Sequence, residues 1–264
     1  MAALLNPQPT SAPILLAIDT SSRVTSMCVT RRGDVVKSMS VGFDEDRSEK
    51  LWLEIDRLVR DAGLAIEDLD LFAVCVGPGG FTGLRVGIAA AKGLAVAAEK
   101  PMIGVTSLEA AAANAKGTRP VLAMLNAYKG EVYSQLFSRD GQGGLVAENE
   151  PLVSTLRLAL DRIAHIDRVI LAGEAAAENV EEITKLASDI RRDDSSQLSR
   201  AWAVQSSDAS LAEGVARLAL MRYLKGEAGT PESVAACYVR RPEAEIKLER
   251  GLLGSKIARV RRQL

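Results

Sequence analysis

The residues best suited by type and spacing to do chemistry are Gly77-Pro-Gly-Gly-Phe-Thr-Gly-Leu-Arg-Val-Gly87. They lie between an apolar run that reads as a strand and a long Ala/Gly run that reads as a helix. Glycine permits a tight turn, and the first turn of a helix presents unbonded N–H groups with partial positive charge. Gly77, Gly79 and Gly80 are therefore candidate contacts for a phosphate, a nucleotide or a carboxylate. The competing reading is a strand-to-helix turn that binds nothing. No Lys-Ser/Thr pair follows where a Walker A loop needs one, and the spacing does not match the dinucleotide fingerprint. Asp19 and Thr20 directly follow the first apolar run and are candidates for the same contact. An aspartate at such a place can hold magnesium through water. The simpler reading is an Asx turn in which Ser21 or Ser22 donates to Asp19.

Other chemistries lack their residues. His165 is the single histidine of the 264-residue chain, so no His pair with metal-ligand spacing exists, and a Ser/His/Asp triad would have to use it. No Gly-x-Ser-x-Gly elbow is present. Cys28, Cys75 and Cys237 are odd in number and far apart, which argues against a disulfide framework or a zinc site and fits a reducing compartment. Net charge is −1, so the fold as a whole offers no electrostatic footprint for nucleic acid. The last stretch is different: Lys247, Arg250, Lys256, Arg259, Arg261 and Arg262 face only Glu249. Leu253, Ile257, Val260 and Leu264 fall on one helical face, so this tail reads either as a short basic amphipathic helix or as a solvated end.

The elements that must position these residues follow from periodicity. Residues 14–18, 26–30 and 35–39 read as strands of an antiparallel meander, with Arg31-Arg32-Gly33-Asp34 as a hairpin turn. Leu51, Ile55, Leu58, Val59 and Ala62 form one apolar helical stripe that Gly63 ends. Residues 71–76 read as a buried strand, residues up to about 99 as the long helix, 102–105 as a strand and 107–115 as a helix capped by Ser107 or Thr106. The pattern restarts after Ala115-Lys-Gly-Thr-Arg-Pro120 with strands over 121–125 and 132–138. Helix, strand and helix signals follow over 156–163, 168–172 and 177–186. A last helix is capped by Ser207 or Asp208 and stopped by Gly226. The expected division is a loose tail over 1–13, a first lobe over 14–116, a second lobe over 117–227, a return segment over 228–245 and the basic tail over 246–264. Each half carries strands first and helices after, a duplicated β-meander-plus-helix layout of α/β class.

The long helix after the Gly-rich loop is apolar nearly all round, with Gly83, Gly87, Ala90, Ala91 and Leu94 placing small or apolar residues on adjacent turns. Such a helix is either a core element or a subunit interface, because large exposed apolar patches are rare on monomers. The interface reading takes in Phe81, Thr82, Gly83, Arg85, Val86, Gly87, Ala90, Ala91 and Leu94. On it, a bulky residue at Gly87 or Ala91 breaks association and leaves the monomer folded.

Four motifs in order, Ile18-Asp-Thr-Ser21, the Gly77 to Gly87 loop, Gly104-Val-Thr-Ser-Leu-Glu109 and Gly130-Glu-Val-Tyr133, resemble the TsaB (YeaZ) family. Tyr238-Val-Arg-Arg-Pro-Glu243 looks like its C-terminal signature, and the resemblance covers residues 14–245. It implies a two-lobed actin/hexokinase-like (ASKHA) fold. It also implies a cytoplasmic, non-catalytic partner of TsaD, the subunit that transfers a threonylcarbamoyl group to the adenosine next to the anticodon of tRNAs reading ANN codons. TsaE, an ATPase, is the implied third component. A homodimer or a heterodimer through the long helix, tRNA contact through the complex and no membrane are implied as well. So is a chain that needs no cofactor of its own, with ATP and Mg only in the complex. Gly80, Arg47 and Asn126 depart from the family's usual serine, histidine and aspartate, which bears on nucleotide contact and not on a scaffold role. Two alternatives stand beside this one. A stand-alone ATP-dependent kinase of the same superfamily needs carboxylates facing the cleft, of which Asp19 is the one candidate. A peptidase needs a metal pair or a nucleophile dyad.

Overall fold

The computed structural model describes residues 12–42, 47–141, 143–193, 201–206 and 209–240, with the backbone alone over 47–49 and 191–193. Most of the expected N-terminal tail, the basic tail, the side chain of Arg47, the expected caps Ser207 and Asp208, and the end of the Tyr238-to-Glu243 motif lie outside the described residues.

The first lobe begins as the expected meander, β1 (Ile14–Asp19), β2 (Val24–Arg31) and β3 (Asp34–Gly42), paired antiparallel. On the other side of β1 lie β4 (Leu71–Cys75) and β5 (Met102–Val105), both parallel, giving the order β3-β2-β1-β4-β5. Alternation along the strands sends Leu16, Ile18, Phe72 and Val74 to one face. There they meet α1 (Arg47–Asp61) and α2 (Phe81–Ala97), which join these strands in one core through Leu51, Ile55, Ile88 and Ala91. Leu15, Ala17, Leu71 and Ala73 point the other way, onto α7 (Leu211–Leu224). Both faces of β1 and β4 are covered, which is why these strands read as continuous apolar runs rather than alternating ones.

The second lobe repeats the plan. β6 (Val121–Asn126) and β7 (Glu131–Arg139) are antiparallel, and β8 (Leu145–Ala147) and β9 (Leu152–Thr155) pair with β7. β10 (Arg168–Ala172) runs parallel to β6, and β11 (Ala201–Gln205) parallel to β10. The apolar cluster formed by one face of this sheet takes in α4 (Leu156–Asp161), α5 (Glu174–Glu178) and α6 (Val180–Asp193). The cluster on the other face includes α3 (Ser107–Asn114), which packs in turn on α7. The layers are therefore helix, sheet, helix pair, sheet, helix.

Three differences from the sequence reading stand out. Each meander is followed by a parallel β-α-β unit, into which the expected strands over 71–76, 102–105 and 168–172 fall, so the strands do not all precede the helices. The strands β8, β9 and β11 were not among the expected elements. And α7, which the sequence places in the second lobe, packs on β1, β2, β4 and β5 of the first. Its cap is Ser210, whose Oγ accepts from the Glu213 N–H at 3.3 Å. The helix α3 is capped by Thr106, one of the two expected residues, in a capping box with Glu109. After α7 the chain returns across the molecule. It bridges Met102 at Gly229, Cys237 N–H donates to Val76 O at 2.7 Å, and the Arg240 guanidinium donates to Ala127 O at 3.2 Å. This return segment thus bonds to both lobes. Among the described residues, no helix is long and apolar enough to cross a membrane.

Candidate functional site

The parallel pairing of β1 and β4 brings the Asp19–Ser21 turn and the Gly-rich loop to the same end of the sheet. This is the carboxyl end, where open α/β sheets place their crevices. The two segments are locked together. Gly80 N–H donates to Ser21 O at 2.7 Å. A methyl group on Gly79 would lie 2.4 Å from that same oxygen, so only glycine permits this approach. On the far side, Ser107 donates its N–H to Gly77 O at 2.8 Å and its hydroxyl to Pro78 O at 2.5 Å. The loop is thus held by backbone contacts from both sides, and the Gly80 N–H is already engaged. Gly80 caps α2 with no side-chain hydrogen bond.

Asp19 is fully buried, and its Oδ1 accepts from the Ser21 N–H at 3.0 Å, the Asx turn weighed above. Burial pushes its carboxyl above the ordinary range, and the hydrogen bonds from Ser21 offset part of this. Burial also pushes the neighbouring Cys75 thiol well up, and the charge of Asp19 adds to that. Across the gap between the lobes, Glu174 accepts from the Asn126 N–H at 3.2 Å, and the Asn126 amide donates to Glu178 at 2.8 Å. Burial raises Glu174 too. Asp19 and Glu174 line one interlobe cleft of about 340 Å³. Among the described residues of its lining there is no lysine or arginine. Two carboxyls with no cation in the lining, Arg23 acting on Glu174 only from outside it, make a poor seat for phosphate.

The structure corrects the face of α2 assigned to a companion. Gly83, Gly87, Ala90 and Ala91 are buried inside the chain itself. Thr20 Oγ1 donates to Gly83 O at 2.8 Å, and a methyl group at Gly87 would sit 2.1 Å from that same hydroxyl oxygen. The small residues serve close packing of α2 on the Asp19–Thr20 turn, so a bulky residue at Gly87 or Ala91 attacks the monomer first. Val86 and Leu94 are half-buried on the same core. Phe81, Thr82 and Arg85 are exposed, and the outward face continues through Ala89, Gly93, Val96 and Ala97. Val96 is 56% exposed. Beside it, α1 exposes Trp52 at 46% and Leu53 at 70%, and a methyl on Gly93 would touch the Trp52 ring at 3.7 Å. Trp52 and Leu53 were not singled out from the sequence. Their signal is that both fall off the buried stripe of Leu51, Ile55, Leu58 and Val59.

Arg85, read as an interface residue, also braces a second feature. Its guanidinium lies 3.7 Å from the centre of the Phe81 ring, and its Nε donates to Tyr238 Oη at 3.2 Å. His165 is exposed. Among the described residues, no group of three or more His, Cys, Asp or Glu is placed to hold a metal ion.

Comparisons with known proteins agree with this geometry. The family model described as TsaD: tRNA N6-adenosine threonylcarbamoyltransferase matches residues 44–247. The tRNA threonylcarbamoyladenosine biosynthesis protein TsaB of Escherichia coli (strain K12) is 35% identical over 132 residues, 49% of this chain and 57% of that protein. The match spans little more than half the length of such curated relatives. The solved structure of YeaZ from Pseudomonas aeruginosa superposes with a TM-score of 0.65 at 26% identity, covering 85% of this chain and 99% of that one. The Lmo2764 protein of Listeria monocytogenes, a putative N-acetylmannosamine kinase, shares the fold at a TM-score of 0.52 and 12% identity, over 81% of this chain and 99% of that one. The fold is the two-lobed actin/hexokinase-like one. The chain belongs to the family of that TsaD model.

Proposed function

We propose that this chain is a cytoplasmic, non-catalytic subunit in the synthesis of tRNA threonylcarbamoyladenosine, required by the catalytic subunit TsaD and working beside the ATPase TsaE. The observation that carries the reading is the outward face of α2 and α1, where Trp52, Leu53, Ala89, Gly93 and Val96 present apolar surface to solvent. Apolar area of this kind gains roughly 25 cal/mol per Å² when covered, and interfaces are built around such patches. The same face serves a second copy of the chain or TsaD, one at a time. The chain needs no cofactor for this, and ATP and Mg enter only with the complex. The stand-alone kinase is left with Asp19, whose Oδ1 already accepts from the Ser21 N–H and which has no lysine or arginine beside it among the described residues of the cleft lining.

The test is reconstitution: the purified chain, a TsaD protein, a TsaE protein, tRNA and the small substrates, with each component omitted in turn. Modification is expected only with all present. Modification that proceeds without this chain, or by this chain alone, defeats the proposal.

A further inference from the structure

A cleft of about 300 Å³ opens where the Gly-rich loop, the turn between β6 and β7 and the return segment meet. The whole chain has four tyrosines and four phenylalanines. Phe81, Tyr128, Tyr133 and Tyr238 line this one cleft, so an aromatic-poor chain spends half of these rings on it. Only Tyr133 is buried. Tyr128 is 49% exposed, Tyr238 39% and Phe81 37%. The rings are fixed in place. Phe81 and Tyr238 lie 5.3 Å apart at a 34° tilt, braced by Arg85 as described. Tyr128 is thrust across from the second lobe. It and Lys129 both hold positive φ, at 61° and 58°, a backbone that side-chain-bearing residues avoid. The turn is closed by Glu131 N–H donating to Tyr128 O at 3.1 Å, and the tyrosine hydroxyl reaches to within 3.7 Å of where a methyl on Gly80 would be. That tight turn presents a flat ring to solvent above the loop. Lys129 and Arg240 stand in the lining, Arg240 paired with Glu131 and Lys129 engaged in a contact of its own.

Flat faces with cations beside them fit a base and its phosphate, because every base has a π-face and stacking tolerates any sequence. We infer that this cleft binds an unpaired nucleotide of an RNA single strand, its base stacked on the exposed rings of Tyr128 and Tyr238 and its phosphate toward Lys129. The choice of RNA as the strand rests on the proposed function, whereas the stacking site stands on the geometry alone. The test uses the full chain without any companion, so failure of subunit docking does not affect it.

Fluorescence anisotropy of a labelled, unstructured oligoadenylate is measured against salt, with a duplex RNA of the same length and AMP as competitors. Salt-dependent binding of the single strand, with the duplex competing poorly, is expected. Tyr128→Ala weakens it at least about fivefold, the low end of what one stacked base contributes, while Tyr128→Phe binds as the parent does. Lys129→Ala makes the salt dependence shallower by about one phosphate contact. Failure of the single strand to bind, equal competition by duplex, or an unchanged Tyr128→Ala overturns the site. AMP binding without oligonucleotide binding assigns the cleft to a free nucleotide and overturns the RNA.

Discussion

The two lobes share one strand plan and differ in what covers it. In the first, the segment after β4 makes the 17-residue α2, which is apolar toward the core and largely apolar toward solvent. In the second, the segment after β10 makes the short α5 and then α6. There Ile183 and Ile190 are buried while Glu181, Glu182 and Lys185 face water. Both lobes rely on a glycine where the chain leaves the parallel strand. A methyl group on Gly79 would strike Ser21 O, and one on Gly173, at φ +105°, would strike Met124 O at 2.3 Å. The last residue of the first strand also differs, Asp19 in β1 and Asn126 in β6. The shared parts fix the sheet and its turn. The parts that differ decide which lobe ends in water and which is left with a face to cover.

The largest expected effect tests the shared part. Gly87→Ala forces a methyl against Thr20, and Gly173→Ala combines a clash with a forbidden φ. Each is expected to cost roughly 3 kcal/mol or to prevent folding, read as the urea midpoint of unfolding. A Gly87→Ala protein that unfolds like the parent would mean that α2 does not rest on the Asp19 turn as described. Next comes the helix face that differs. Val96→Glu is expected to weaken self-association or TsaD binding at least about tenfold, ~1.4 kcal/mol. The melting temperature of the monomer stays put, because an exposed substitution of this kind is worth within about 0.5 kcal/mol. Lys185→Glu on α6 is the matched control and should change neither. Equal sensitivity of both helices would erase the distinction between the lobes.

The smallest effect concerns the strand ends, and Asp19→Asn makes the two lobes alike there. The native carboxyl titrates above its ordinary value of 3.8, so the folded state holds its proton more tightly than the unfolded chain does. Its share of stability is therefore full below that value and is lost as pH rises through the raised native value. The parent should lose stability relative to Asp19→Asn over that window and run parallel to it above. A difference between the two that does not vary with pH would show that burial leaves Asp19 unperturbed.

Much of this was legible in the sequence. The apolar runs of β1, β4 and β6, the stripe of α1 and the Thr106 cap are strong local patterns, and they placed the Gly-rich loop between a strand and a helix. What escaped was whatever depends on distant contact. Small residues on α2 announce close packing, yet spacing cannot say whether the neighbour is Thr20 of the same chain or a second subunit. Tyr128, Tyr133 and Tyr238 are spread over 110 positions, and nothing local to any of them foretells a common cleft. The three-residue β8 offered no period to read.

The placement of α7 has a consequence for synthesis. The first sheet is encoded by residue 105, but the helix that covers one of its faces is not made until residue 224. A ribosome therefore delivers the whole strand set of the second lobe while Leu15, Ala17, Leu71 and Ala73 still await their cover. The lobe begun first is completed last, and a chain cut between the two sheets would be a sticky fragment rather than a small domain.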